Sequence, residues 1–453
     1  MSRTHNRRCR SSKPPPPKPP GCSGGKFEFF LQPSERFARG FFISASCVSL
    51  RVSQTKETFM KTHREIAQQL DLFHSEPQGP GMIFWHPNGW RLFQDIQQHI
   101  RELYLQYGFE EVRTPQFLKK ELWQTSGHLA MYGEDMFFGG DPAGEQDYAL
   151  KPMSCPGHIL LFKRGVHSYR DLPVKLFEFG LVHRNEASGA LNGCLRLRQF
   201  TQDDAHVFCA WSQIKHEVSQ FLERARQVYR QYGYQQLTVK ISTRPEAALG
   251  DEVLWHQAEQ ILMDVCRDES MDYELQVGEG SFYGPKIELA LQDSLGREWQ
   301  CGTIQLDFNL PGRFEVAFTN AAGEREHPVI LHQAMYGSIE RWIGMLLEVT
   351  QGALPEWIHP LPAAIVPVNE AAAEYADALA ALLKAADLPV MTDHSNCSVS
   401  RKIKRFHQLK IPNILIVGEK EVNSEQVALR RGKAVTVIEK SQLVAQLLAF
   451  RAL

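Results

Sequence analysis

LPVKLFEFGLVHRNE (residues 172–186) and CLRLRQFTQDDAHVFCA (194–210) decide how this chain is read. Each alternates apolar and polar residues with a period of two, the pattern of a strand with one buried face. ASGALNG (187–193), a run of small and polar residues of the kind turns favour, joins them. The pair predicts an antiparallel hairpin. On that reading Arg184 and Glu186 share one strand face, and Arg196 and Arg198 share a face of the returning strand. Several guanidinium forks on one sheet face suit a polyanion, whose phosphate oxygens they hold in pairs. The plainer alternative is a solvated hairpin laced by cross-strand ion pairs. Further along, Gln202, Asp204 and His206 also share a face, either as a site or as the wet side of a sheet.

Outward from the hairpin, residues 146–211 as a whole read as strands and turns. They contain KPMSCPGHI (151–159), in which Cys155 has no second cysteine at metal-ligand spacing. From its surroundings alone Cys155 is a buried small hydrophobe, a nucleophile, or one ligand of a metal whose other ligands lie far off. Upstream, Asn88-Gly89 reads as a turn. Trp90, Leu92, Phe93, Ile96, Ile100, Leu103 and Tyr104 then recur at helical spacing until Gly108. FEEVRTPQF (109–117) reads as a strand that Pro115 confines to an edge or a bulge. Downstream, residues 212–234 form an amphipathic helix. QLTVKIST, YELQVGE, KIELALQD and EWQCGTIQLDF are strands. VILHQAMYGSIERWIGMLLEVTQG (329–352) reads as a helix with a short apolar approach, in which Glu340 and Arg341 interrupt the apolar run. An arginine at a glycine-led helix start suits a phosphate, although a surface charge is the plainer reading. After the proline-marked linker at 353–362, short β runs alternate with helical segments from 363 to 453. That alternation predicts a small, separate α/β domain.

Bulk properties narrow the class. The chain has 453 residues, too many for one core, with 43% hydrophobic and 23% charged residues. The formal net charge is −2. Residues 1–59 carry a net charge of about +8, and their Pro run disfavours helix. They read as a disordered extension or as residues outside the mature protein; organelle targeting is the lesser reading. Nine scattered cysteines with no C-x-x-C pair exclude a disulfide framework and favour a reducing compartment. No apolar run reaches the ~18 residues that span a bilayer.

Taken in order, these stretches resemble the three signature motifs of the class II aminoacyl-tRNA synthetases. The helix and strand ending at Pro115 resemble the dimer-interface motif, HRNEASGALNGCLRLRQF the second motif, and GSIER the third. LWQTSGH, KPMSCPGHI, TQDDAHVFC, FYGPKIE and QCGTIQLDF narrow the resemblance to the threonyl-tRNA synthetases, from about residue 64 to the C-terminus. The resemblance implies an α+β catalytic domain (60–358), an antiparallel sheet flanked by helices, and a C-terminal α/β anticodon-binding domain (361–453).

The implied activity is ATP-dependent activation of L-threonine and its transfer to threonine tRNA, in a cytoplasmic homodimer joined through the first motif. The alternative is a threonine-adenylating enzyme serving a carrier protein. By resemblance Arg184 and Arg341 are catalytic, and Arg184, Glu186, Arg196, Phe200, Gln300 and Arg341 bind ATP with its Mg²⁺. Met153, Gln202, Asp204, Tyr283 and Gln305 bind the amino acid. Cys155, His206 and His332, 51 and 126 residues apart, hold one Zn²⁺ per subunit. Asn396, Lys404, Lys410, Glu421 and Arg430 contact the anticodon. His158, at C-x-x-H spacing from Cys155, is not a ligand in the family pattern.

Ser154 stands where the family has Asn, Gln199 where it has Gly, and Gln333 where it has Arg. Only about 60 residues precede the core, where the family carries a ubiquitin-like module and an editing domain. The resemblance therefore implies serine mischarging corrected by a separate editing protein, since one methyl yields only about 10–200-fold discrimination.

Overall fold

A computed structural model of the chain describes residues 60–140, 147–234, 237–293 and 296–451. The reading of residues 1–59 as an extension lies outside the described residues. The main sheet has eight strands: β1 (Glu110–Glu111), β2 (Val174–His183), β3 (Gln199–Cys209), β4 (Thr238–Ser242), β5 (Glu274–Gln276), β6 (Lys286–Gln292), β7 (Glu298–Asp307) and β8 (Val329–Ser338). Their order is β5-β4-β6-β7-β8-β3-β2-β1. The edge strands β1 and β5 pair parallel to their neighbours, and all other pairs are antiparallel. This is the expected antiparallel sheet with flanking helices.

Helices α1 (Pro87–Gln106), α3 (Ile214–Gln231), α4 (Glu252–Asp268) and α5 (Ile339–Thr350) pack on one face. Ala205, Val207 and Cys209 of β3 and Leu331 of β8 point into that core. Their alternates Gln202, Asp204, His206 and His332 therefore point to the opposite face, where the short helix α2 (Cys155–Lys163) lies.

Four local readings are corrected. Asn88-Gly89 is the first turn of α1, which starts at Pro87, a residue whose fixed φ and missing N–H suit a helix start. The 146–211 stretch contains α2, again with proline in the first turn. Arg184 and Glu186 lie beyond the end of β2, and Arg196 and Arg198 lie before β3, so all four sit in the connecting loop. Arg184 N–H still donates to Arg198 O at 2.9 Å, while Gly81 O accepts the N–H groups of Arg198 (2.8 Å) and Gln199 (3.3 Å). Finally, Val329–Ser338 is a strand, and the helix begins only at Ile339. Strand β8 is central and buried on both faces, so its apolar run has no alternation to mark it.

Between Ala334 and Ser338 the pairing of β8 with β3 slips by a bulge. The bulge wraps round the Asp203 carboxylate, which accepts from the N–H groups of Met335 (2.7 Å) and Tyr336 (3.1 Å). Gly337 closes it at φ +72°, where an added Cβ would meet Cys301 O at 2.4 Å. At Gln333, where the family resemblance calls for Arg, a guanidinium is supplied from α3 instead. Buried Arg224 donates to Gln333 Oε1 at 3.0 Å.

The C-terminal sheet has order β10 (Val390–Thr392), β9 (Ala363–Pro367), β11 (Asn413–Val417), β12 (Gln426–Arg431) and β13 (Ala434–Glu439). The first three are mutually parallel. Helices α6 (Ala373–Ala385) and α8 (Leu443–Arg451) cover one face and α7 (Val399–Gln408) the other. This is the expected α/β unit.

Candidate active site

Gln305 of β7, His332 of β8 and His206 of β3 form one cross-strand row on the open face of the sheet. Sheet register brings together residues that spacing could not connect. His206 Nε2 lies 3.0 Å from His332 Nδ1. Cys155, the first residue of α2, completes the group. The ligand-capable atoms of Cys155, His206 and His332 lie within 4.8 Å of one another, and all three residues are buried.

The donor chemistry fits a metal. Burial holds His206 neutral, and the neighbouring His158 and His332 reinforce it. His332 Nε2 donates to Asp307 Oδ2 at 3.0 Å, which turns the Nδ1 lone pair toward the group. Burial pushes the Cys155 thiol well up, and Asp204 and Asp307 add to it. A divalent cation reverses that balance, because it favours the thiolate and screens both carboxylates. A thiolate and two imidazoles suit tetrahedral Zn²⁺ with one open position.

Beside this group opens a cavity of about 370 Å³. Met153, Gln202, Tyr283 and Gln305 line its inner end. The Tyr283 ring stacks on His332 at 4.9 Å, and its hydroxyl donates to Gln305 Oε1. Gln202 Oε1 is buried without a hydrogen-bond partner, an acceptor left for a ligand N–H or O–H. Asp204 is buried, and burial raises its pKa. Its Oδ2 accepts from the Ser154 main-chain N–H at 3.1 Å. The exchange of Asn for Ser at 154 thus leaves this contact intact, because the backbone makes it. The Ser154 hydroxyl itself has no partner.

The outer end carries Arg184, Glu186, Phe200, Gln300 and Arg341. Arg184 Nε donates to Pro152 O at 3.2 Å, and its guanidinium lies 5.2 Å from the Phe200 ring centroid. Arg341 bridges two carbonyls, Leu195 O through Nε (2.8 Å) and Gln300 O through Nη1 (2.9 Å). Burial lowers the pKa of Arg341, and the positive fields of Arg184 and Arg196 lower it further. Arg196 stands at the rim, exposed, 3.7 Å from Glu186. Guanidinium groups gathered in this way suit a polyanion. Behind them Glu340 accepts the Thr201 N–H, and burial lifts its carboxyl to about 7.

The description "tRNA synthetase class II core domain (G, H, P, S and T)" matches residues 138–350, and "Anticodon binding domain" matches 363–447. The threonine–tRNA ligase of Methylobacillus flagellatus is 45% identical over 378 residues, which cover 83% of this chain and 59% of that protein. That of Laribacter hongkongensis is 45% identical over 394 residues, 86% of this chain and 62% of that protein. The crystal structure titled as the RNA binding domain of threonyl-tRNA synthetase from Cryptosporidium parvum superposes with a TM-score of 0.82 at 39% identity. It covers 86% of this chain and 98% of that one. The chain belongs to the threonyl-tRNA synthetase family. It spans about three-fifths of the length of the curated relatives.

In the C-terminal unit of this chain, Asn396 precedes α7, Lys404 lies on it and Lys410 follows it. All three are exposed. Arg430 pairs with Ile414, so it shares the sheet face that α7 covers. Glu421 lies on the helical turn after β11, with Oε2 taken by the Gly418 N–H at 2.9 Å.

Two further residues near the Cys/His group had no role assigned from sequence. His128 places Nε2 3.8 Å from Cys155 Sγ, and its Nδ1 lies 2.8 Å from Ser126 Oγ. Burial, then the fields of His332, Arg184 and Arg313, lower its pKa to about 3, so the ring is neutral. His158 bonds His206 directly. LWQTSGH and KPMSCPGHI were both legible as motifs, but nothing in their spacing says which atoms meet.

Proposed function

We propose that the chain activates L-threonine with ATP and transfers it to threonine tRNA. The cavity carries this reading. It has arginines at one end and an unpaired Gln202 acceptor at the other, beside the buried Cys/His/His set.

The outer end would receive ATP with its Mg²⁺. Arg184 would hold the α-phosphate beside the amino-acid carboxylate, with Arg196 and Arg341 toward the γ-phosphate. Phe200, Glu186 and Gln300 would receive the adenosine. A threonine carboxylate oxygen attacks the α-phosphorus, and the bond to the β-phosphate breaks, releasing pyrophosphate. A ribose hydroxyl of the tRNA then attacks the acyl carbon, and AMP leaves. The protein's share is positioning and charge stabilisation by groups already in place.

Cys155, His206 and His332 would hold Zn²⁺, which supplies a Lewis-acidic position that distinguishes a hydroxyl from a methyl. Asp204 would accept from the threonine hydroxyl, while Gln202, Tyr283, Gln305 and Met153 seat the amino acid. Serine offers the same hydroxyl with one methyl fewer, so it is the competitor, and a separate editing protein is the partner we assign for its removal.

Residues 60–358 would form the catalytic domain and 361–453 the anticodon-binding domain, with Asn396, Lys404, Lys410, Glu421 and Arg430 toward the anticodon. Lysine at 404 and 410 keeps phosphate contacts without a planar fork. Exposed Trp90 and Phe84 beside a trough lined by Phe93, Arg101 and Phe179 support a homodimer through the first motif. No helix among the described residues is long and apolar enough to cross a membrane. A cytoplasmic location agrees with that and with the free cysteines.

Threonine-dependent pyrophosphate exchange, followed by charging of threonine tRNA with threonine, serine and valine in parallel, tests the reading. Exchange and threonine charging are expected, with valine rejected. Exchange without charging would move the acceptor away from tRNA. Absence of both would end the proposal.

A further inference from the structure

We propose that His158 is a positioning residue of the metal centre, fixing which nitrogen of His206 faces the ligand group. The proposal rests on the reading of Cys155, His206 and His332 as a metal set. His158 lies one helical turn beyond Cys155 on α2 and is fully buried. Its Nδ1 is 2.8 Å from His206 Nδ1, while His206 Nε2 faces His332 Nδ1 at 3.0 Å. A neutral imidazole has one donor nitrogen and one acceptor, so the tautomers of these rings are linked.

The chain of assignments has an anchor at each end. At one end, Asp307 takes the Nε2 proton of His332, and Nδ1 of that ring is a lone pair. At the other, His158 Nε2 points at Glu178 Oε1, 3.6 Å away. That is too long for a hydrogen bond, but a carboxylate there favours a proton on the nearer nitrogen. Glu178 cannot turn away. It accepts from Lys151 Nζ (2.7 Å), Thr114 Oγ1 (2.7 Å) and Thr114 N (2.8 Å). Burial pushes its carboxyl up, but the Lys151 ammonium at 2.7 Å opposes that and favours the ionised form.

With Nε2 of His158 protonated, its Nδ1 can only accept. His206 must then donate from Nδ1, and its Nε2 is left as a lone pair. The reverse assignment would aim a bare His158 nitrogen at an ionised carboxylate. In the favoured assignment, His206 Nε2 and His332 Nδ1 are two lone pairs 3.0 Å apart beside Cys155. They repel unless a cation sits with them. The C-x-x-H spacing of Cys155 and His158 is therefore functional without His158 being a ligand. The cysteine binds, and the histidine one turn on orients a different ligand.

The test uses the full chain. Zinc affinity is measured by competition with a chromophoric chelator, and ligand geometry by the absorption of the Co²⁺-substituted protein. His158→Phe keeps a ring but removes the acceptor. It is expected to weaken zinc about 10–100-fold, the usual cost of losing a partner behind a ligand, with unchanged melting of the metal-free protein. His158→Asn returns an acceptor near the Nδ1 position and is expected to recover most of that loss and the wild-type Co²⁺ spectrum. Wild-type affinity in His158→Phe overturns the proposal, as does an Asn variant as weak as the Phe variant. If His158→Phe does not fold, His158→Gln replaces it. Its acceptor falls near the Nε2 position, so equal affinity of the Asn and Gln variants overturns the proposal. A wild-type chain that binds no zinc overturns the metal reading itself, and this inference with it.

Discussion

Arg341 offers the sharpest test of how the outer end of the cavity works. Its guanidinium is held by two main-chain carbonyls, Leu195 O of the loop before β3 at 2.8 Å and Gln300 O of β7 at 2.9 Å. These contacts aim it into the cavity beside Arg184. Lysine at 341 keeps the charge, but one ammonium on a flexible stem cannot satisfy both carbonyls and still face the cavity. A hydrogen bond from a charged donor contributes about 1.5–3 kcal/mol, so losing one converts to roughly 10–150-fold at about 1.4 kcal/mol per decade. Arg341→Ala loses both and the cation as well, giving about 3–6 kcal/mol, or roughly 10²–10⁴-fold. The assay is pyrophosphate exchange with ATP and threonine varied separately. The loss should fall on kcat/KM for ATP and leave the KM for threonine nearly unchanged, because Gln202 and Tyr283 sit at the other end of the cavity. An Arg341→Lys enzyme within about threefold of wild type would refute the reasoning, since one charge-assisted bond alone predicts about tenfold. So would a loss shared equally between the two substrates.

Three further outcomes are expected. Gly284→Ala should destabilise the chain by more than about 3 kcal/mol in urea unfolding, beyond ordinary overpacking, because its Cβ would stand 1.7 Å from Leu306 O and backbone cannot step aside; a loss under 1 kcal/mol would contradict this. Ser154→Ala should leave zinc content unchanged and thermal stability equal or higher, since it removes a buried hydroxyl with no partner while the 154 N–H still holds Asp204; lost zinc would show that the hydroxyl matters. His359 is buried and burial lowers its pKa to about 4, against about 6.5 unfolded, so the unfolded chain binds the extra proton between those values and stability falls as pH drops through that window. The difference between wild type and His359→Gln should therefore shrink by about 3 kcal/mol from pH 7 to pH 4, and a constant difference would mean that the imidazole binds its proton equally in the folded and unfolded chain.

Residues 174–183 and 199–209 announced themselves as strands by their period of two. In β3, Ala205, Val207 and Cys209 pack into the helix-covered core, and the polar Gln202, Asp204 and His206 take the other face. The failures lie where burial removes that contrast. Val329–Ser338 is buried on both faces, so its apolar run looks the same whether helical or extended. The motif arginines fall in a loop, where Gly81, more than a hundred residues upstream, accepts the N–H groups of Arg198 and Gln199. No local pattern reports a partner so far away. The Cys/His/His set was reached through resemblance alone. His206 and His332 meet because β3 and β8 pair in one register, and register is a property of the whole sheet.

That register has a cause that joins both ends of the cavity. Because side chains alternate, a one-residue slip of β8 would turn His332 into the core and Gln333 into the cavity. The pairing does shift, but beyond that row and by two residues, in the bulge between Ala334 and Ser338, so the alternation of faces is kept. There it costs the ladder two N–H partners, and the Asp203 carboxylate supplies both from the neighbouring strand. Tyr104 of α1 adds a third donor to the same carboxylate. Below the bulge, the row Gln305–His332–His206 stays in step. Above it, Ser338 is set against Gln202 and caps α5 by accepting the Arg341 N–H at 3.1 Å. One buried carboxylate, facing away from the cavity, thus permits an unslipped row at the Cys/His end and a re-aimed helix start at the arginine end. Asp203 and Asp204 are adjacent in sequence and opposite in face. The first builds the frame in which the second can serve a substrate.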